Sequence, residues 1–571
     1  MSTARVLAGL TLLIAVIGSS ANGIEGREPL SDGETAVIRL VHPERQAADV
    51  LKLFDGARAP HPAAALAGWK RGTRHPNQLG KPLEAVIAMF NPEMAQEWRV
   101  MDDAELCLDL GSVDGKARWY AIVPRDDGTL SAAVTAMRLT SGAAEAPAGE
   151  SDGIAVERLG PAGTAVAARS GDMLVLGSTR EELLRGLRRI AAVSAPIAAS
   201  EVDRQSRHGL AIPSLGNRVD SGLIFDLRPG RMNAKAGTTT NRRAAALLQG
   251  LGCRRMSGNL ALKEDSLALE VTTLLGQEEP WRPLPAAKAA AVDPSWLTWV
   301  PARDVMAVVS LAFEPGAAFW DSAFALADRV DRADPSRAEV ASLRTRFNLL
   351  ATAAGARPEV DLWPHLRGVT TSIMSDPNQP GHPAGALVIL HADGDASSAR
   401  IATDVLPRLS ALLGGKKFEG ESVRIAPPGQ AAADVSQGDV RRLATVGGRS
   451  LLVFWRGHDV VIAWGDDVLS ASRAAAARPD LSVAGLCTGW VRAGKTAPQR
   501  VGAFWPARCW PAIRGMDTSS LAWKALAQDP PAVWWGWSGP NEAQDSVHYS
   551  GLRNRVRQFL DQLPLVPSPL H

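Results

Sequence analysis

The chain has 571 residues, of which 46% are hydrophobic and 21% charged, and its formal net charge is +2. This composition is that of a folded protein, and the length exceeds what one hydrophobic core commonly supports, so at least two domains are expected. Nucleic-acid-binding proteins carry an excess of basic residues that neutralises phosphates. The near-neutral charge therefore argues against a nucleic-acid partner.

The first 21 residues have the pattern of a secretory signal peptide. Arg5 precedes an apolar run over residues 6–18, and Ser19 and Ala21 are small residues at the positions that a signal peptidase reads. The run is shorter than the roughly 20 apolar residues that span a bilayer. We therefore expect an exported protein, periplasmic or extracellular, with no transmembrane segment after cleavage. The alternative is an uncleaved membrane anchor.

Four blocks of predicted elements then recur in the same order in the two halves of the chain. The first block is a strand followed by a helix, and the second is a strand, an Asp-Gly turn and a helix. The third block is a hairpin followed by a helix, and the fourth is a closing set of strands. The paired blocks begin at residues 36 and 307, 119 and 385, 164 and 451, and 222 and 502. Strands outnumber helices, and short Gly/Asp turns join many of them. The pattern predicts an α+β fold of two pseudo-repeated units, each with a mainly antiparallel sheet and helices packed on one face.

The domain boundaries follow from these blocks and from proline density. We predict a signal peptide at 1–21, a first repeat at 30–276 and a second repeat at 301–560, with a tail at 561–571. Between the repeats, residues 277–300 are rich in proline and alanine without apolar periodicity, which is typical of a linker.

Cysteine usage leaves the redox state open. Cys107, Cys253, Cys487 and Cys509 allow three pairings. Cys487 and Cys509 could close a short loop in an oxidising compartment, but four buried thiols fit the sequence equally well. No C-x-x-C spacing is present, so neither a metal nor a redox cofactor is expected.

Three local patterns resemble catalytic or ligand-binding motifs. Residues 489–496 match G-x-x-x-x-G-K-[ST], but a proline and a strand-like run follow where a phosphate-binding loop needs a helix. Gly536 and Ser538 only superficially resemble a nucleophile elbow. His391, Asp393 and Asp395 could ligate a cation, although a solvated turn explains them better. No catalytic residue, cofactor or metal is therefore predicted.

Tryptophan is concentrated near the C-terminus. Of the 17 tryptophans in the chain, nine fall between residues 455 and 537, including Trp534, Trp535 and Trp537. In a strand, Trp535 and Trp537 share one face and Trp534 lies on the other. Exposed, they would make a stacking platform for a sugar ring or an apolar partner. If they are buried, they fill the gap between the sheet and the helices. The corresponding strand of the first half is partly apolar, and this favours burial. They are the candidate ligand-binding residues.

The order of elements, with the block MLVLGSTREELL at residues 173–184, resembles uncharacterised exported bacterial proteins grouped as a domain-of-unknown-function family. The resemblance implies the fold and the location, but no activity and no site residues. Our hypothesis is an exported, non-catalytic binding or structural protein of the cell envelope with a protein or glycan partner. The alternative is a surface hydrolase acting on polysaccharide or peptide.

Overall fold

The computed structural model describes the strands and helices of most of the chain. The chain divides into two compact units, the first drawn from residues 1–249, 253–276 and 552–571, the second from residues 250–252 and 277–551. The described residues are 36–72, 87, 90–93, 95, 98–99, 102–109, 118–123, 149–151, 154–159, 165–194, 221–228, 246–247, 252–275, 291–332, 343–376, 383–414, 440–446, 448–487, 497–506, 508, 531–538 and 542–562.

The regular elements are as follows. The strands are β1 Ala36–Val41, β2 Glu105–Asp109, β3 Arg118–Val123, β4 Gly149–Ser151, β5 Ile154–Leu159, β6 Ala165–Ser170, β7 Met173–Gly177, β8 Gly222–Leu227, β9 Cys253–Lys263, β10 Ser266–Leu275, β11 Val305–Ala312, β12 Leu366–Ser375, β13 Pro383–Ala392, β14 Arg441–Val446, β15 Arg449–Arg456, β16 Asp459–Trp464, β17 Arg500–Phe504, β18 Ala532–Ser538 and β19 Glu542–Ser550. The α-helices are α1 Pro43–Lys52, α2 Pro62–Gly72, α3 Arg180–Ser194, α4 Ala317–Arg332, α5 Leu343–Ala353, α6 Pro358–Asp361, α7 Asp395–Arg400, α8 Leu406–Gly414, α9 Asp466–Ala477, α10 Ala484–Cys487 and α11 Leu552–Gln562. A π-helical turn, Ile401–Val405, joins α7 to α8, and short 3-10 helices occur at Pro294–Trp299, Trp363–His365 and Pro479–Leu481.

In the first unit the antiparallel pairing order is β4-β5-β6-β7-β3-β2-β1-β8-β9-β10. Helix α3 begins after Thr179, whose hydroxyl accepts a hydrogen bond from the Glu182 amide and so satisfies one of the free N–H groups at the helix start. Its apolar residues recur at helical spacing and are buried with residues of β1, β3 and β7. That cluster includes Leu183, Leu187, Ile190, Val37, Tyr120 and Val175.

In the second unit the order is β14-β15-β16-β13-β12-β11-β17-β18-β19, again antiparallel. Both faces of its central strands are covered. On one face, Leu387 and Ile389 of β13 lie in a cluster with Leu297 of the 3-10 helix and Leu469 of α9. On the other, Leu390 lies in a cluster with residues of α4 and of the Trp363–His365 turn. The apolar run in β13 reflects this burial on two faces.

The predicted fold class, an α+β protein of two pseudo-repeated units with helices packed on one face of each, is wrong. Within each unit the described strands pair antiparallel into a sheet, and in the second unit apolar clusters cover both faces of that sheet rather than one. The physical reason is that period-2 alternation tells which face of a strand is buried. It does not tell which edges pair or how many layers cover the sheet.

Several predictions fall on residues outside this description. The signal peptide at 1–21, the loop motif at 489–496, Cys509 and most of the 277–300 segment lie there, and nothing is concluded about them. Residues 294–299 of that segment form a 3-10 helix that belongs to the second unit. None of the described helices has the length and apolar character needed to cross a membrane.

A close approach between β8 and β9 yields a stability prediction. Phe225 faces Gly258 across this pair, and a Cβ at Gly258 would come within 2.4 Å of the Phe225 ring and 2.5 Å of the Glu270 carbonyl oxygen. Because the carbonyl belongs to a paired strand and cannot move freely, we expect Gly258→Ala to lower the free energy of unfolding by about 1–3 kcal/mol. Urea unfolding of the full chain measures this.

The control is Gly485→Ala in α10, where an added Cβ meets no atom within 4 Å. Since alanine is the better helix former, this variant should keep or slightly raise the unfolding midpoint. Equal losses in the two variants would show that the Phe225 contact is not the cause.

Candidate functional site

The candidate tryptophans of β18 lie against the body of the second unit. Trp535 is 6% exposed and its ring stacks on His548 at 4.8 Å between centroids. Trp537 packs against the same apolar cluster that contains Trp535. These two indoles share a face of the strand, and for Trp535 the burial is the arrangement expected of a core residue.

Trp534 is held by a buried ion pair. Its indole N–H donates to Asp545 Oδ1 at 2.9 Å, and the same carboxylate accepts from Arg500 at 2.9 Å (Nε) and 3.2 Å (an Nη atom). Gly536 makes room for this pair, because a Cβ there would lie 2.0 Å from Asp545 Oδ1. The Trp534 ring also covers Gly502 on the neighbouring strand. Trp534 therefore contributes to an ion pair and to sheet packing.

His391, Asp393 and Asp395, considered above as cation ligands, each pair with a different residue. His391 Nδ1 lies 2.7 Å from Asp459, Asp393 lies 3.2 Å from His365, and Asp395 lies 3.1 Å from His458. Within the described residues no three His, Cys, Asp or Glu side chains are grouped as a metal site requires. The histidine is buried and the two aspartates are exposed, so a solvated turn accounts for Asp393 and Asp395 but not for His391.

His391 belongs to a hydrogen-bond chain that crosses four neighbouring strands. Ser310 of β11 lies 2.8 Å from the Thr370 hydroxyl of β12, and Thr370 lies 2.8 Å from His391 Nε2. The chain continues from His391 Nδ1 to Asp459 Oδ1, and the Trp299 indole donates to Asp459 Oδ2 at 2.6 Å. Ser310 faces Thr370 and His391 faces Asp459 in the sheet register, so strand pairing itself brings these groups together.

In this hydrogen-bond chain, the donors and acceptors can be assigned consistently with a neutral His391. Nδ1–H donates to the Asp459 carboxylate, Nε2 accepts from Thr370, and Thr370 accepts from Ser310. Burial lowers the pKa of His391 below the usual 6.5, and the neighbouring Asp459 only partly opposes this effect. The ring is therefore neutral at physiological pH, and each oxygen of Asp459 accepts one hydrogen bond.

The imidazole supports a tryptophan from the 3-10 helix. The Trp296 ring lies parallel to His391 with 4.1 Å between centroids and an interplanar angle of 7°. Gly368 pairs with His391 in the sheet, and a Cβ there would lie 2.4 Å from the Trp296 ring. Trp296 thus rests flat on the sheet over a glycine and a histidine, and its other face is turned away from the sheet.

A β-bulge aims the neighbouring arginine. The register of β12 against β13 shifts between Leu366 and Gly368, which leaves Arg367 as the extra residue. Its guanidinium donates twice to the Ala392 carbonyl, at 3.3 and 3.1 Å, and lies 3.1 Å from His458 Nδ1. Bulges often re-aim side chains beside functional sites.

These groups line a cleft of about 550 Å³ in the second unit. This volume lies within the usual range of ligand pockets. The aromatic and charged residues of its lining include Asp293, Trp296, Trp299, Arg367, Arg456, His458 and Asp459. We define these seven residues and the space between them as the Trp296 cleft. Aromatic rings, two guanidinium groups and two carboxylates converge there.

Thr370, His391 and Asp459 have the order of a nucleophile, base and orienting acid. However, Thr370 and Ser310 are 0% exposed and His391 is 1% exposed. The hydroxyl that would attack is therefore closed to solvent, and it is already bonded on both sides. The arrangement can hold Trp296 and Asp459 in place, but in this state it cannot reach a substrate.

Sequence reasoning did not find this cleft. Trp296 lies in the stretch predicted as linker, and His391 was assigned to a turn. One signal was present: His391 continues the alternation of Leu387 and Ile389, both fully buried, so the third member of that series belongs to the same face. The bulge at Arg367 left no recognisable pattern in the sequence.

The cysteines bear on redox state only in part. Cys107 and Cys253 are buried free thiols. Burial raises the pKa of the Cys253 thiol far above its usual range, against a smaller opposing hydrogen bond from Thr273. Neither thiol therefore has the character of a reactive cysteine.

Comparisons with known proteins add no functional assignment. No protein-family model matches the chain, and no curated protein matches it. One solved structure, described as 5-dimethylallyl tryptophan synthase from Streptomyces coelicolor in complex with DMASPP and Trp, aligns with 10% identity over 74% of this chain and 96% of that chain. Its TM-score is 0.09, so this likeness supports neither a fold nor a function.

The neutral state of His391 predicts a pH dependence of stability. Because its pKa is lower in the folded than in the unfolded chain, the unfolded state binds more protons in acid. The stabilisation is complete above about pH 6.5 and is lost as the pH falls towards the folded pKa. The urea unfolding midpoint should therefore fall as the pH is lowered from 8 to 5. The midpoint of the His391→Gln variant should fall less steeply.

His458→Gln is the matched control, since His458 is exposed and its partner Asp395 is also exposed. Exposed ion pairs contribute little to stability, so this variant should keep the slope of the natural protein. If His391→Gln instead kept the full slope, the titrating group would lie elsewhere.

Proposed function

We propose that the protein is an exported, non-catalytic binding protein of the cell envelope and that it holds its ligand in the Trp296 cleft. Export is supported by the signal-peptide pattern of residues 1–21, and the family resemblance of residues 173–184 agrees with it. The role of the cleft is supported by its volume and by the convergence of aromatic and polar side chains.

The single observation that carries the proposal is the hydrogen-bond chain beneath the cleft, which fixes the side chains that line it. Asp459 accepts one hydrogen bond on each oxygen, from His391 and from Trp299, and these bonds fix the orientation of its carboxylate. Trp296 is fixed over the His391 ring. A site whose groups are held in this way is pre-organised, which favours binding because little side-chain freedom is lost when a ligand arrives.

The alternative, a surface hydrolase acting on polysaccharide or peptide, is favoured by one observation. Thr370, His391 and Asp459 follow each other at hydrogen-bond distances in the order that nucleophilic catalysis uses. Against it stands the complete burial of the Thr370 hydroxyl. The binding role therefore accounts for more of the geometry than the catalytic role does.

The two roles separate in one experiment with the purified full chain and washed envelope fragments. Both retention on the fragments and release of soluble sugars and peptides over time are measured. We expect retention without release. Thr370→Val should keep retention within about twofold, although loss of a buried hydrogen bond should lower stability by about 1–3 kcal/mol.

Thr370→Ser is the matched control because it keeps the hydroxyl. Time-dependent release of soluble fragments that disappears in Thr370→Val and returns in Thr370→Ser would establish the hydrolase instead. The proposal of a non-catalytic role would then be abandoned.

Export has its own test. A chain lacking residues 2–21 should stay in the cytoplasm, because the apolar run that directs secretion is gone. Cell fractionation followed by N-terminal sequencing measures this, and the full-length chain should yield a mature protein beginning at Asn22. If the full-length chain and the chain lacking residues 2–21 were distributed equally between the cell fractions, export through this segment would be contradicted.

A further inference from the structure

The ring of Trp296 lines the cleft and is covered by the sheet on one face. The covering groups are His391, 4.1 Å away, and the backbone at Gly368. Trp296 is only half-buried and lines the cleft. An indole held flat by a histidine below it presents a rigid apolar plane, which binds another flat apolar surface at little entropic cost.

The charges around this plane cancel. Arg367 and Arg456 carry positive charge into the cleft, and Asp293 and Asp459 carry negative charge. His458, the other titratable residue of the lining, pairs with Asp395. A ligand of either net charge would meet as many like charges as opposite ones. A neutral ligand with many groups that both donate and accept hydrogen bonds can satisfy guanidinium and carboxylate together.

Three of the four described strands that reach the cleft have no free edge for a peptide. β12, β13 and β16 are each paired on both sides, whereas β15 pairs with β14 only over residues 449–453. Extended peptides commonly bind by adding a strand to a free edge. That route is closed at β12, β13 and β16, and the flat aromatic face and the balanced polar rim favour a sugar ring over a peptide.

We propose that the Trp296 cleft binds a neutral pyranose unit of an envelope glycan, with the apolar face of the sugar stacked on Trp296 and its hydroxyls bonded to the Arg and Asp side chains of the rim. This inference rests on the proposed binding function and specifies its ligand class. It assigns the stacking role to Trp296 rather than to Trp534, Trp535 and Trp537.

Titration calorimetry of the full chain tests the inference. The probes are neutral oligosaccharides (maltohexaose, cellohexaose and chitohexaose), an acidic one (oligogalacturonate) and peptides released from envelope fragments. We expect saturable binding of at least one neutral oligosaccharide and tenfold or weaker binding of oligogalacturonate. Trp296→Ala should weaken the binding of the neutral sugar at least tenfold.

Two further variants keep the result interpretable. Gly368→Ala pushes the indole off the sheet without removing it, so it should weaken binding while the unfolding transition stays cooperative. Trp455→Ala is the matched control, because Trp455 is a partly buried indole that packs in a different cluster and does not line the cleft. It should leave the dissociation constant within twofold.

The outcomes separate the two proposals. Binding of the acidic glycan or of peptides that is lost in Trp296→Ala would overturn the neutral-sugar inference and leave the binding function standing. Binding of a neutral sugar that is unchanged in Trp296→Ala and Gly368→Ala would also overturn it. If none of the probes binds and the envelope fragments are not retained either, both proposals fail.

Discussion

The Asp459 carboxylate imposes the main constraint on the second unit. A charged group beside apolar side chains needs hydrogen-bond partners, because an unpaired one costs several kcal/mol. Asp459 meets this requirement by accepting from His391 and Trp299. The first of these bonds fixes the tautomer of the histidine. The fixed ring in turn gives Trp296 a flat support, so the shape of the cleft follows from the requirements of one carboxylate.

The same constraint gives Trp534 of β18 a structural role. Asp545 is fully buried and is satisfied by Arg500 and by the Trp534 indole. In the first unit, Asp226 of β8 is similarly buried and accepts two bonds, at 2.8 and 2.7 Å, from Arg255 of β9. Breaking such a pair from one side commonly destabilises a protein by about 3–5 kcal/mol. The Trp534 indole, which donates to such a pair, therefore contributes to the stability of the second unit.

Much of the local structure was predictable because its signals are local. The alternating runs at 36–41 and 173–177 form strands with those bounds, and the spacing of Leu183, Leu187 and Ile190 identified the buried face of α3. Strand alternation and helical spacing depend on neighbouring residues only. The layering of the sheet depends instead on which edges meet and on what covers each face. For that reason the predicted α+β arrangement failed while its individual strands and helices were largely correct.

The cleft could not be predicted for a related reason, because its residues come together only in the folded chain. It is assembled from a 3-10 helix at 294–299, a bulge at Arg367 and the turn before Asp459, three segments far apart in sequence. None of the three segments is a recognisable sequence motif. Each contributes one or two side chains to the cleft, and their role appears only when the fold brings the segments together. A binding site of this kind has no catalytic residue types at fixed spacing to reveal it. What it requires is a rigid base, and in this protein the buried His391 and the glycine at 368 provide that base. A ligand that stacks on Trp296 therefore depends on residues that it never touches.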